Sequence, residues 1–228
     1  MLEVIILRQF DKLGYAEFPR LGALRAKIPN LARKLPLERA RYLKVGVCGN
    51  GGCEANLRNI EIKARVESLD KLAAKVVAIA TGGPVEIVQD DTFFPCSTGR
   101  LKLRDFLDGT GELIFYRRAD KRGPKESFYL RSPTVSPDSL RESLILAYGQ
   151  SGRIRKHRTL YLVDRTRVHL DSVEKLGTFL ELEVVLEDDE STEVGAREAA
   201  ELMKALGISP GQLIEGAYVD LLATGAQI

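Results

Sequence analysis

No stretch of the sequence approaches the ~20 apolar residues that a helix needs to cross a bilayer, so no membrane partner is expected. Cysteine is scarce. Cys48, Cys53 and Cys96 are too few for a disulfide framework and fit a reducing, cytoplasmic compartment. Cys48 and Cys53 would make half of a four-ligand zinc site, but no second pair or nearby histidine completes it. Charge of one sign is missing as well. The 34 Lys and Arg stand against 32 Asp and Glu, a net charge of +2, so no global field draws nucleic acid or an anionic membrane. Any anion site must be local. A phosphate loop is lacking too: Gly82-Gly83-Pro84 is not followed by Gly-Lys-Ser/Thr and reads as a turn after a helix.

What is present falls into two unequal parts. Residues 1–56 are basic, carry Pro19, Pro29 and Pro36, and end in the loop-like run Cys-Gly-Asn-Gly-Gly-Cys. They read as a weakly ordered extension. A transit peptide would be rich in serine and poor in acids, whereas this segment lacks serine and carries Glu3, Asp11, Glu17 and Glu38, so organelle targeting is not favoured.

Residues 57–228 change to short alternating runs separated by turn signals. Strands are expected over Arg58–Val66, Glu86–Phe94, Arg100–Phe106, Glu112–Arg118, Ser127–Arg131, Gly152–Val163, Thr166–Val173 and Thr178–Leu186. Helices fit Ser68–Ala80, Pro137–Ala147 and Ser191–Leu206. Asp108-Gly109 and Thr110-Gly111 sit where a hairpin needs positive φ, and Val163-Asp164-Arg165 joins two strands tightly. Many hairpin-linked strands with peripheral helices indicate an α+β domain built on a closed antiparallel β-barrel.

Strand side chains alternate between faces, and here the charges share one. Ile60, Ile62, Ala64 and Val66 oppose Asn59, Glu61, Lys63 and Arg65. Leu101 and Leu103 oppose Lys102 and Arg104, and Leu113 and Phe115 oppose Glu112, Ile114, Tyr116 and Arg118. Later, Val168 and Leu170 oppose Arg167, His169 and Asp171, and Leu180, Leu182 and Val184 oppose Glu181 and Glu183. Lys156 and Arg158 share a face, and the run Arg153, Arg155, Lys156, Arg158 divides between two faces. A half-exposed sheet also alternates apolar and polar residues. Here, however, the polar face is short of Ser, Thr and Gln, the signs segregate by strand, and helices are available to cover the apolar face. That turns the charges inward. A lumen of bare cations is costly, and carboxylates holding Mg²⁺ or Mn²⁺ together with a bound polyphosphate would offset that cost.

The same residues resemble a known family. Asn59-Ile60-Glu61-Ile62-Lys63 resembles the Glu-x-Glu-x-Lys strand that opens CYTH proteins, the group containing class IV adenylyl cyclases and thiamine triphosphatases. The likeness continues through Gln89–Phe94, Gly99–Arg104, Glu112–Arg118, Lys156–Arg158, Arg167–Asp171 and Leu176–Glu183, in order. It implies a closed triphosphate tunnel and either hydrolysis of a triphosphate or cyclisation of ATP. It implies metal binding by Glu61, Glu181 and Glu183, with Asp171 at a further acidic position. Lys63, Lys102, Arg104, Arg118, Lys156 and Arg158 match the positions that grip phosphates, and Arg65 and Arg167 lie on the same charged faces. Lys156, Arg158 and Glu61 are the candidate catalytic residues. One position departs: Asn59 stands where the family has its first glutamate, which lowers the charge offered to metal.

Three functional readings follow. Water attack would make a triphosphatase, the leading one. Attack by the ribose hydroxyl of ATP would make a cyclase, and the segment Tyr161–Asp171 with Gly177–Leu186 looks most like that branch. A tunnel that binds polyphosphate or nucleotide without turnover is the third, kept by Asn59. His169 is assigned a structural hydrogen bond ahead of proton transfer, His157 faces outward, Tyr116 packs beside the wall, and the end of the chain covers the barrel. A small-molecule triphosphate is the expected partner; a homodimer is left open.

Overall fold

The computed structural model describes residues 57–225. The basic extension expected over residues 1–56, with Cys48 and Cys53, lies outside the described residues.

Eight strands form the body: β1 Leu57–Arg65, β2 Gly82–Phe94, β3 Arg100–Asp105, β4 Gly111–Arg118, β5 Lys125–Thr134, β6 Gly152–Val163, β7 Thr166–Val173 and β8 Gly177–Leu186. Around them lie helices α1 Leu69–Ile79, α2 Pro137–Tyr148, α3 Thr192–Leu206 and α4 Tyr218–Ala223. The sheet runs β1-β5-β4-β3-β2-β6-β7-β8 and closes through β8 onto β1, with every pairing antiparallel. Closure leaves no strand edge unpaired.

Local chemistry accounts for the element ends. Ser68 caps α1, its hydroxyl accepting from the Lys71 amide at 3.3 Å. Gly207 follows α3 at φ 74°, in the left-handed region that ends many helices. In the β3–β4 hairpin the positive φ falls at Gly109 (84°), as its sequence demands, and at Leu107 (57°), while Gly111 is already in β4. A side chain at Gly111 would meet the Arg104 carbonyl at 2.5 Å, so this glycine serves close approach instead of a turn.

One segment corrects the sequence reading. Gly82-Gly83-Pro84 opens β2 and is not a free turn; the ladder to β6 slips between Gly82 and Val85. Pro84 has no N–H to give, and such an irregularity is where a strand tolerates it.

The outward faces of β1, β7 and β8 carry the apolar set. Ile60, Ile62, Ala64, Val168, Leu170, Leu180, Leu182 and Val184 pack with Leu72 and Val76 of α1 and with Ala199, Met203 and Leu206 of α3. At Gly195 a Cβ would lie 2.7 Å from Leu186 and 2.8 Å from Ile60, so glycine there lets α3 lie against the sheet without displacing those side chains. Removing a buried aliphatic such as Ile62 (0% exposed) costs about 2–5 kcal/mol. With the apolar core outside the barrel wall, the charged faces point into the lumen. A second cluster, Phe93, Ile154, Val173, Leu176, Phe179 and Tyr218, fills one end.

Candidate active site in the barrel lumen

The lumen is lined by every second residue of the strands, and its middle is ionic. Asn59, Glu61 and Lys63 of β1, Gln89 and Asp91 of β2, Lys125 of β5, Lys156 and Arg158 of β6, His169 and Asp171 of β7 and Glu181 of β8 are all buried. Lys102, Arg104, Arg118, Arg167 and Glu183 complete the ring.

Strand register sets who meets whom. Glu61 lies opposite Glu183, and Lys63 opposite Glu181. Glu181 is held from two sides, by Lys63 Nζ at 3.3 Å and Arg158 Nη2 at 2.6 Å. Arg158 also grips Asp171 through two bonds of 2.6 and 2.7 Å, while Lys156 reaches the same carboxylate at 3.3 Å. Arg167 Nε bonds Glu183 at 2.8 Å and donates through Nη2 to the Tyr129 hydroxyl at 2.9 Å. Glu61 takes Lys63 at 3.4 Å and a close contact from Arg118. On the other wall Asp91 accepts from Lys102 at 2.7 Å and from Arg104 at 2.8 and 2.9 Å.

Burial opposes ionisation of these carboxyls, yet the cations win. Lys63, Arg158 and Lys156 hold Glu181 well below the ordinary carboxylate range. Arg158 and Lys156 do the same for Asp171, Arg104 and Lys102 for Asp91, and Arg167 for Glu183. The lysines fare worse. Burial and the neighbouring Arg158 push Lys156 down to about 7. Burial and Arg104 push Lys102 to about 8, and burial with Arg118 and Lys63 pushes Lys125 to about 8. The eight Lys and Arg side chains named above also outnumber the five carboxylates they face.

Lys125 states this most simply. It is 1% exposed, and its ammonium has a single hydrogen bond, to the Lys121 carbonyl at 3.3 Å, with no carboxylate in ion-pair range among the described residues. Unpartnered buried atoms cluster here as well: Asn59 Oδ1, Gln89 Oε1, Arg118 Nε and His169 Nδ1 are all on lumen-facing residues. His169 and Glu183 approach to 3.7 Å, but burial and Arg158 lower the imidazole to about 3, so it is neutral and the contact is not an ion pair.

The structure thus brings together Glu61, Lys63, Lys102, Arg104, Arg118, Lys156, Arg158, Arg167, Asp171, Glu181 and Glu183. Arg65 stands apart, donating to the Leu176 carbonyl at 2.7 Å and stacking 4.8 Å from the Phe179 ring. Both oxygens of Asp171 are taken by Arg158, Lys156 and the Tyr218 hydroxyl. His157 faces outward beside Glu86 at 3.4 Å, and Arg153 and Arg155 bind Asp90 on the outside, so the basic run does divide between faces.

Some lumen residues escaped the sequence reading of the site. Lys125 was lost because Gly123-Pro124 marks a turn and obscures the start of β5. Asp91 sits in the pair Asp90-Asp91, where one acid faces each way, and parity counted from Phe93 would have found it. Tyr129 lies on the inward face of an expected strand. Tyr218 belongs to a six-residue helix, too short for a periodic signal; it enters the lumen end and does not merely cover the barrel.

A family model described as the CYTH domain matches residues 57–218. Over 76 residues the chain is 36% identical to "Putative adenylate cyclase MJ0240" of Methanocaldococcus jannaschii. That match covers 33% of this chain and 43% of the relative, so the chain spans under half the length of this curated relative. Among solved structures, the PH1012 protein of Pyrococcus horikoshii superposes with a TM-score of 0.64 at 24% identity, covering 72% of this chain and 98% of that one. A "putative adenylyl cyclase" from Hippeastrum, described as having a dominant triphosphatase activity, gives 0.56 at 17% identity, covering 75% and 97%. At these identities the structural likeness is one of fold.

Proposed function

Because the chain belongs to the CYTH domain family, whose members are triphosphatases or class IV adenylyl cyclases, we propose that it hydrolyses a triphosphate held in the lumen, with Mg²⁺ or Mn²⁺. Lys125 carries this reading. A buried ammonium with no carboxylate partner is costly, and an anion bound beside it would also relieve the repulsion that Lys125 takes from Arg118 and Lys63.

The donor set suits a divalent metal. Glu181 and Glu183 offer hard carboxylate oxygens, and the unpartnered Asn59 Oδ1 and His169 Nδ1 lie on the same inward faces. Glu61 and Asp171 are nearby acids, more fully occupied by cations. Bound there, the metal would polarise phosphate oxygens and bring the attacking water near its working pKa.

The remaining roles belong to side chains. Lys102, Arg104, Lys156, Arg158, Lys63, Arg118 and Lys125 bind the phosphates and exclude alternative poses. Arg158 and Lys156, fixed by Asp171, offset charge that builds on the oxygens of the transferred phosphoryl group. Glu61 orients Lys63 and Arg118. Hydrolysis needs only these parts and water, whereas cyclisation also needs a ribose placed for attack. The cyclase remains the second reading, favoured by the name of the M. jannaschii relative.

Phosphate release and cyclic AMP formation should be assayed with tripolyphosphate, thiamine triphosphate and ATP, each with Mg²⁺ and Mn²⁺. Metal-dependent phosphate release abolished by Glu181→Gln is the expected result. Cyclic AMP and pyrophosphate from ATP would replace it with the cyclase, and silence with binding intact would leave a binding module.

A further inference from the structure

Among the donors that face the lumen, the imidazole of His169 has the most specific surroundings. His169 is 4% exposed, and its Nδ1 is buried without a hydrogen-bond partner. The nearest acid oxygen, Glu183 Oε1, is 3.7 Å away, too far for a hydrogen bond. Two atoms that each bond one ion at about 2.1 Å stand roughly 3–4 Å apart, so this separation suits two ligands of a shared cation. A third donor completes the set. His169 pairs with Glu181 across the β7–β8 ladder, and ligand atoms of His169, Glu181 and Glu183 all lie within 4.8 Å of one another.

The first strand offers less. Asn59 is uncharged, and the Glu61 carboxylate is engaged by Lys63 and Arg118. Glu181 and Glu183 also carry cations, but no Lys or Arg among the described residues donates to His169 Nδ1. The orphaned Nδ1 therefore has room for a ligand that the ion pairs around it do not supply.

We propose that His169 Nδ1 is a metal ligand beside Glu181 and Glu183, so that the centre is assembled on the β7–β8 hairpin and favours Mn²⁺-class ions over Mg²⁺. The selectivity follows from ligand type: magnesium prefers all-oxygen surroundings, while an imidazole nitrogen adds affinity along the first-row series that begins with Mn²⁺. This rests on the reading that the lumen binds a divalent metal.

The test uses the full chain and the metal alone. Mn²⁺ is titrated with protein by electron paramagnetic resonance, and the bound ion is examined by electron spin-echo envelope modulation for coupling to an imidazole nitrogen. Wild-type protein is expected to show nitrogen modulation. His169→Asn should abolish it and weaken Mn²⁺ binding about 10- to 100-fold, with Mg²⁺ competition changed far less; Glu181→Gln should weaken both ions. Bound Mn²⁺ without nitrogen modulation in the wild type would overturn the His169 assignment and leave the metal reading standing. Equal loss of Mn²⁺ and Mg²⁺ in His169→Asn would overturn the selectivity. Failure of wild-type protein to bind Mn²⁺ would overturn both the assignment and the reading beneath it.

Discussion

The hydroxyl of Tyr218 donates to Asp171 Oδ2 at 2.9 Å, tying the C-terminal helix α4 to the carboxylate that holds Arg158 and Lys156. Its ring lies 4.9 Å from that of Phe179 and 4.2 Å below the Lys63 ammonium. One side chain thus closes an end of the lumen and borders its cations. Tyr218→Phe keeps the closure and deletes the bond, with an expected loss of about 1–2 kcal/mol. Tyr218→Ala also leaves a cavity and should cost about 3–5 kcal/mol. Urea unfolding of the two variants separates the contributions; equal losses would mean the ring contributes nothing.

Lys125→Met should move stability and binding in opposite directions. Removing an unpaired buried ammonium is expected to raise the stability of the free protein by about 1 kcal/mol or more. Tripolyphosphate affinity should fall, because a phosphate contact is lost. Thermal unfolding with and without tripolyphosphate reads both effects, and a destabilised free variant would show that Lys125 has a compensating partner.

Acidity should act on binding through the depressed lysines. Lys156 and Lys102 stand at about 7 and about 8 against an ordinary 10.5. Between those values and 10.5 the unfolded chain binds more protons than the folded one, so these groups make the free protein more stable as pH rises across that window. A polyanion favours the protonated forms. Tripolyphosphate affinity should therefore fall as pH rises from 6.5 to 9, and binding near pH 8 should take up protons. Calorimetry in buffers of different ionisation enthalpy measures that uptake; none, or proton release, would contradict the charge balance described for the lumen.

Asn59→Glu restores a carboxylate beside the Glu61 strand position. Added negative charge near Glu181 and Glu183 should tighten Mn²⁺ at least several-fold, with unchanged or lower stability of the metal-free protein because acids then crowd the lumen. Unaltered metal affinity would place Asn59 outside the metal site.

Alternation made most of this legible. Charged faces on six strands, β1, β3, β4, β6, β7 and β8, could be assigned from parity alone, because a one-residue error would have buried Ile62 among ions and exposed Glu61 to α3. The helices over Ile60 and Leu182 explain why the apolar face points outward. What parity could not show was partner choice. Asp171 reads as one more acid in sequence, yet Arg158 and Tyr218 saturate it; His169 reads as a structural hydrogen-bonding group on the lining face, yet its Nδ1 is unpaired. Tyr218 comes from a distant segment, and only the folded chain brings it to Asp171.

The central claim is that the lumen binds a triphosphate with metal. Calorimetric titration of tripolyphosphate, with and without Mn²⁺, into wild-type protein and into Lys102→Met and Arg158→Met tests it most directly. A single site whose affinity rises with Mn²⁺ and falls at least tenfold in each variant is the predicted result. No binding, or binding indifferent to both substitutions, would contradict the account.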